Sequence, residues 1–60
     1  MKIGERVLVP LRGLTLEAIV IDDCYRQTAD LRTMLVKLVD NPSMEIEIKM
    51  EDVRPYGQDV

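Results

Sequence analysis

Aliphatic residues recur with a period of two along most of this chain, and valine and isoleucine dominate them. Period two is the spacing of a strand whose successive side chains face opposite sides, and β-branched side chains suit a pleated, half-buried surface. With 60 residues there is room for one small core, since a chain of that size buries only about 60% of the surface its unfolded form exposes. A single cysteine, Cys24, and no histidine leave it without a disulfide framework and without the common zinc-ligand spacings. Neither covalent nor metal staples are expected, and partner subunits remain as a way to bury more apolar surface, help that small scaffolds often need.

Four runs and a stub carry the alternation. "ERVLVPL", residues 5–11, places Val7 and Val9 on one face, with Pro10 suited to a strand end or sheet edge because it lacks an N–H. "RGL", residues 12–14, is a turn in which Gly13 is free to take positive φ. "TLEAIVID", residues 15–22, sends Leu16, Ala18 and Val20 one way and Glu17, Ile19 and Ile21 the other. The polar, non-periodic stretch 23–33 reads as a long loop, with a single helical turn over "TADLR" capped by Thr28. "MLVKLVD", residues 34–40, runs into "DNPS", whose Asp, Asn, Pro and Ser predict a tight turn and a hairpin to "MEIEIKM". There Ile46 and Ile48 point inward, while Glu45, Glu47 and Lys49 form a solvated outer face. "EDV" predicts a short 3₁₀ turn and "RPY" a last brief strand; residues 58–60 read as a frayed tail behind a single domain over 1–57.

The expected fold is all-β: a small five-stranded barrel with a long loop between strands 2 and 3 and a 3₁₀ turn before the last strand. Closure removes the edges that a flat sheet would expose. In "GERVLV", "EAIVID" and "EDVRPY" the order of features resembles the SH3-like barrels, including their Tudor-type and KOW-like relatives. The resemblance spans nearly the whole chain and implies that fold, but a fold of this kind hosts many functions.

Several of those functions are excluded by composition. Methyl-lysine cages, polyproline grooves and base-stacking platforms all need several aromatic rings, and the only aromatics here are Tyr25 and Tyr56. The opening Gly4-Glu5-Arg6-Val7 and the proline turn in "NPSMEIEI" also resemble the plasmid-type dihydrofolate reductases, SH3-like tetramers with a shared pore. That resemblance implies a Val-Gln-Ile-Tyr stretch in the late strand, whereas this segment reads Glu45-Ile46-Glu47-Ile48. No other catalytic constellation is present: without histidine, no carboxylate, lysine or thiolate falls in a nucleophile motif. Asp22, Asp23 and Asp30 lack the spacing of a calcium loop, and Cys24, although near Arg26, reads as a small buried hydrophobe. No cofactor or metal is expected.

With Val7, Val9, Ala18, Val20, Val36, Leu38, Ile46, Ile48 and Val53 filling the core, alternation sends Leu8, Ile19, Ile21, Leu35 and Val39 to the opposite face. Exposed aliphatics gathered on neighbouring strands mark an interface. The expectation is a non-enzymatic protein-interaction or regulatory module, self-associating through that face, with Tyr25, Arg26 and Arg32 as partner-binding loop residues, because Tyr and Arg are favoured in interface hot spots. A second reading is a nucleic-acid-associated accessory protein using Arg6, Arg12, Arg26 and Arg32 as a local patch. The net charge of −3, from 11 acids against 8 bases, argues against a general nucleic-acid surface. No run is long or apolar enough for a signal peptide or a membrane span, and a lone thiol fits a reducing, cytoplasmic setting.

Overall fold

The computed structural model describes residues 2–57; the expected tail, 58–60, lies outside them. Five antiparallel strands form one sheet: β1 (Arg6–Leu11), β2 (Leu14–Gln27), β3 (Arg32–Leu38), β4 (Glu45–Lys49) and β5 (Arg54–Pro55), with a 3₁₀ turn, Met50–Asp52, between the last two. The order across the sheet is β4-β3-β2-β1-β5. β4 and β5 are therefore its edges, and among the described residues no ladder joins them to close a barrel. Only Arg54 and Pro55 form β5, and Pro55 has no N–H to donate.

The core follows the alternation. Val7, Val9, Ala18, Val20, Met34 and Val36 are fully buried, Leu38 and Val53 nearly so, and Leu11, Leu16, Ile46 and Ile48 pack against them half-buried. Cross-strand pairing keeps this set together: Val7 faces Ala18, Ala18 faces Leu38 and Val20 faces Val36, and Met34 faces Ile48. Met34 extends the expected core. It lies two residues before Val36 on β3, in phase with it, so the same alternation buries it.

Turn chemistry sets the hairpins. Arg12 (φ 52°) and Gly13 (φ 79°) join β1 to β2, a two-residue connection with both φ values positive, whose twist matches that of the flanking strands. Between β3 and β4, Asn41 donates its N–H to the Leu38 carbonyl and accepts from the Met44 N–H at 2.9 Å, while the Ser43 hydroxyl reaches Asn41 Oδ1 at 2.9 Å.

The long loop expected over 23–33 is largely strand. β2 continues to Gln27 and β3 begins at Arg32, so the connection is only 28–31. The pairing hides from the sequence because it is bulged. Val20 faces Val36, Asp22 faces Leu35 and Arg26 faces Thr33, so β2 advances from 20 to 26 while β3 runs only from 36 to 33. Surplus residues on one strand break period two and bend the strand without ending the pairing. The helical turn over "TADLR" does not form either. The Thr28 hydroxyl accepts from the N–H groups of Asp30 (3.3 Å) and Leu31 (3.1 Å), and the Thr28 N–H donates to the Leu31 carbonyl at 2.7 Å. A local Thr bond of this kind competes with helix and favours a tight turn.

Candidate functional site

The far end of the β2–β3 hairpin gathers the chemistry. At the first bulge Asp22 Oδ1 accepts the N–H of Cys24 at 3.1 Å, a short Asp turn that settles a backbone group the ladder leaves unpaired. Beyond it Tyr25 stands 47% exposed. Arg26 reaches across β3 to β4 and grips Glu47 with both ends of its fork, Nε to Oε2 at 2.7 Å and Nη2 to Oε1 at 2.6 Å. Thr33, on the strand between them, donates its hydroxyl to the same Oε2 at 2.7 Å. These bonds hold the Glu47 carboxyl at about 2, well below its ordinary 4.5, with the Arg26 hydrogen bonds the main cause and the Thr33 hydroxyl next; the Arg26 guanidinium is raised in turn by its bonds to Glu47.

The expected solvated face of β4 is thus corrected at Glu47, whose side chain is only 26% exposed and fully engaged. Its partner lies on the bulged part of β2, where sequence alternation gives no register.

Next to this clamp the hairpin tip and the 3₁₀ turn enclose a cleft of about 370 Å³ lined by Asp30, Leu31, Arg32, Met50 and Glu51. Leu31 and Met50 are large apolar side chains left 39% and 36% exposed. Arg32, the first residue of β3, donates from its Nη2 to the Asp23 carbonyl at 3.2 Å. Of the expected partner-binding residues, Arg32 lines the cleft and Tyr25 is open to solvent, whereas Arg26 is committed to Glu47. Leu31, Met50, Thr33 and Glu47 were not expected here. Leu31 carried the one available signal, a large aliphatic in an otherwise polar connection.

A larger cleft, about 460 Å³, lies between β1, the start of β2, the 3₁₀ turn and β5. It is lined by Leu8 of the expected interface, half-buried, and the buried Val9, together with Pro10, Thr15, Glu51, Asp52 and Arg54. It has no large exposed apolar side chain to anchor a partner, which separates it from the Leu31–Met50 cleft.

The expected interface residues Leu8, Ile19, Ile21, Leu35 and Val39 are all half-buried. Charged residues sit between them. Leu8 has Glu17 and Arg54 as cross-strand neighbours, Ile19 has Arg6 and Lys37, and Leu35 has Asp22 and Glu47. Ile21 falls within the first bulge, and Val39 follows β3, its N–H bonded to the Glu17 carbonyl at 3.0 Å. The stems of long charged side chains cover apolar neighbours in such rows.

The four arginines of the nucleic-acid reading are dispersed. Arg12 occupies the turn before β2 while Arg26 and Arg32 flank the far end of that strand. Arg6 is 3.4 Å from Glu17 and its guanidinium lies 5.2 Å from the centre of the Tyr56 ring. Cys24 is exposed rather than buried, because the bulge carries it out of the core-facing phase; its thiol is 3.5 Å from Gln27 Oε1. Among the described residues, Asp22, Asp23 and Asp30 do not converge into a group that could hold a metal ion, and no helix is long and apolar enough to cross a membrane. Comparison with known protein families, with curated proteins and with solved structures gives no match.

Proposed function

We propose that this chain is a non-enzymatic protein-interaction module of the SH3-like kind, that it takes a protein partner at the end of the β2–β3 hairpin, and that it self-associates. The observation that carries this reading is the pairing of Leu31 and Met50 in one cleft beside Arg32, with Tyr25 close in sequence on the same hairpin. An apolar notch lined by an arginine, with an exposed tyrosine on the same hairpin, has the residue types favoured in interface hot spots. The Arg26–Glu47–Thr33 clamp lies behind it as support, fixing the hairpin arm so that less order is lost when a partner binds. The strand order, with a 3₁₀ turn leading into a short last strand beside β1, supports the SH3-like reading of the fold.

Affinity capture from a native extract tests the partner site, comparing the wild type with a folded Leu31→Asp/Met50→Asp variant. A protein retained by the wild type, lost from the variant and bound again when purified supports the reading. Equal retention by both, or nothing retained by either above a blank support, contradicts it.

A further inference from the structure

We infer that β4 is a homotypic docking edge: two copies of this chain pair their β4 strands antiparallel about a two-fold axis through Glu47, joining their sheets into one. The inference rests on the self-association proposed above and names the surface that performs it.

The backbone comes first. In an antiparallel ladder, residues that exchange two hydrogen bonds alternate with residues that exchange none. The Leu38 N–H donates to the Met44 carbonyl at 3.2 Å, which marks that pair as a bonded one, and the β3–β4 register continues unbroken through Val36–Ile46 and Met34–Ile48. Met44, Ile46 and Ile48 therefore turn their backbone groups toward β3. Glu45, Glu47 and Lys49 turn theirs toward the open edge, because among the described residues β3 is the only strand beside β4.

The side chains then select the partner. Pairing β4 with itself about Glu47 sets Glu45 opposite Lys49 of the second copy, and Lys49 opposite the second copy's Glu45. Every outward backbone group of the strand falls in a bonded pair. On the core side the same register sets Ile46 against the second copy's Ile48, and both side chains are only half-buried in the single chain. The like-charge contact at the axis, Glu47 against its own copy, would ordinarily oppose pairing. Here each of those carboxylates already carries a bidentate guanidinium from Arg26.

Other registers are poorer. A slip of two residues one way sets Glu45 against Glu47 of the other copy. The opposite slip sets Lys49 against a Glu47 that Arg26 already holds, brings Glu45 to Glu51 of the 3₁₀ turn, a like charge, and leaves only residues 47–49 of β4 paired. Charges on an edge strand normally prevent pairing between sheets; on β4 they are arranged so that the strand complements itself and rejects the alternatives.

Charge exchange tests this. Sedimentation velocity is run on the full chain, on Glu45→Lys, on Lys49→Glu, and on an equimolar mixture of the two variants, each checked for fold by circular dichroism. The wild type is expected to dimerise. Each single variant sets like charges opposite one another at both ends of the paired strands, and its dissociation constant should weaken about tenfold or more. In the mixture a lysine at 45 meets a glutamate at 49, and a heterodimer should return. A monomeric wild type overturns both the edge and the self-association. A wild-type dimer that both single variants retain, or that mixing does not restore, overturns the edge alone and points to the Leu8, Ile19 and Leu35 face instead.

Discussion

Arg26 and Glu47, separated by 21 residues in sequence, meet in a bidentate pair that crosses the whole width of β3, with Thr33 of that strand bonded to the same carboxylate oxygen. The pair ties the bulged arm of β2 to the edge strand β4. It compensates for the weakened ladder at the bulges, where surplus residues leave backbone groups without cross-strand partners. Thr33 is almost completely buried beneath it.

The Glu47 carboxyl sits at about 2 in the folded chain against an ordinary 4.5. A carboxyl lowered on folding stabilises the fold fully above its unfolded value and loses that contribution as the pH falls through the folded one. Urea denaturation of the wild type and Glu47→Gln should therefore show a stability difference that is constant above pH 4.5, narrows below it and vanishes near pH 2. A difference independent of pH across that range would mean that the clamp does not form. Added salt should shrink the difference at neutral pH, because Arg26 is 71% exposed and its charge is screened.

Thr33→Val removes the hydroxyl that shares Glu47 Oε2 while keeping nearly the same shape. The loss of one hydrogen bond should cost about 1 kcal/mol. It should also raise the Glu47 carboxyl, so the acid transition of the variant moves to higher pH. Carbon-13 NMR titration of the Glu47 side chain reads that shift directly, and an unmoved titration would place the hydroxyl elsewhere.

Met34 is fully buried against Val36, Ile48 and their neighbours. Met34→Ala should cost about 2–5 kcal/mol, against a total of roughly 3–9 kcal/mol for a chain of this length. The variant should be largely unfolded at 37 °C by circular dichroism, whereas Met44→Ala, at a position 43% exposed, should change stability little.

Arg12 holds a left-handed backbone conformation, φ 52°, which a side chain with a full Cβ adopts at a cost of roughly 1–2 kcal/mol. Asparagine tolerates that region better and suits the first position of this turn. Arg12→Asn should raise stability by about 0.5 kcal/mol or more in a thermal melt. A lower melting temperature would show that Arg12 contributes contacts outweighing its strain.

Strands whose alternation is unbroken were legible in the sequence, and so were the turns that carry their own chemistry. Val7 and Val9, Ala18 and Val20, and Val36 and Leu38 announce their phase, and Arg12-Gly13 and Asn41-Pro42-Ser43 announce the reversals between them. The continuation of β2 past Asp22 was not legible, because a bulge destroys the periodicity that identifies a strand. With that register hidden, nothing local linked Arg26 to Glu47, and Glu47 read as one more solvated acid. The exposure of Cys24 was lost for the same reason. The cleft was half visible: Arg32 and Tyr25 stood out by residue type, but Leu31 and Met50 come together only once the hairpin tip and the 3₁₀ turn are placed side by side.

The proposed function requires that the end of the β2–β3 hairpin receive a protein partner. Hydrogen exchange measured by mass spectrometry, on the chain alone and with the partner recovered by capture, tests it most directly. The predicted result is new protection across 25–33 and at Met50 and Glu51, with exchange at the Arg12–Gly13 turn unchanged. Protection confined to the cleft between β1 and β5, with 25–33 exchanging as in the free chain, would contradict it.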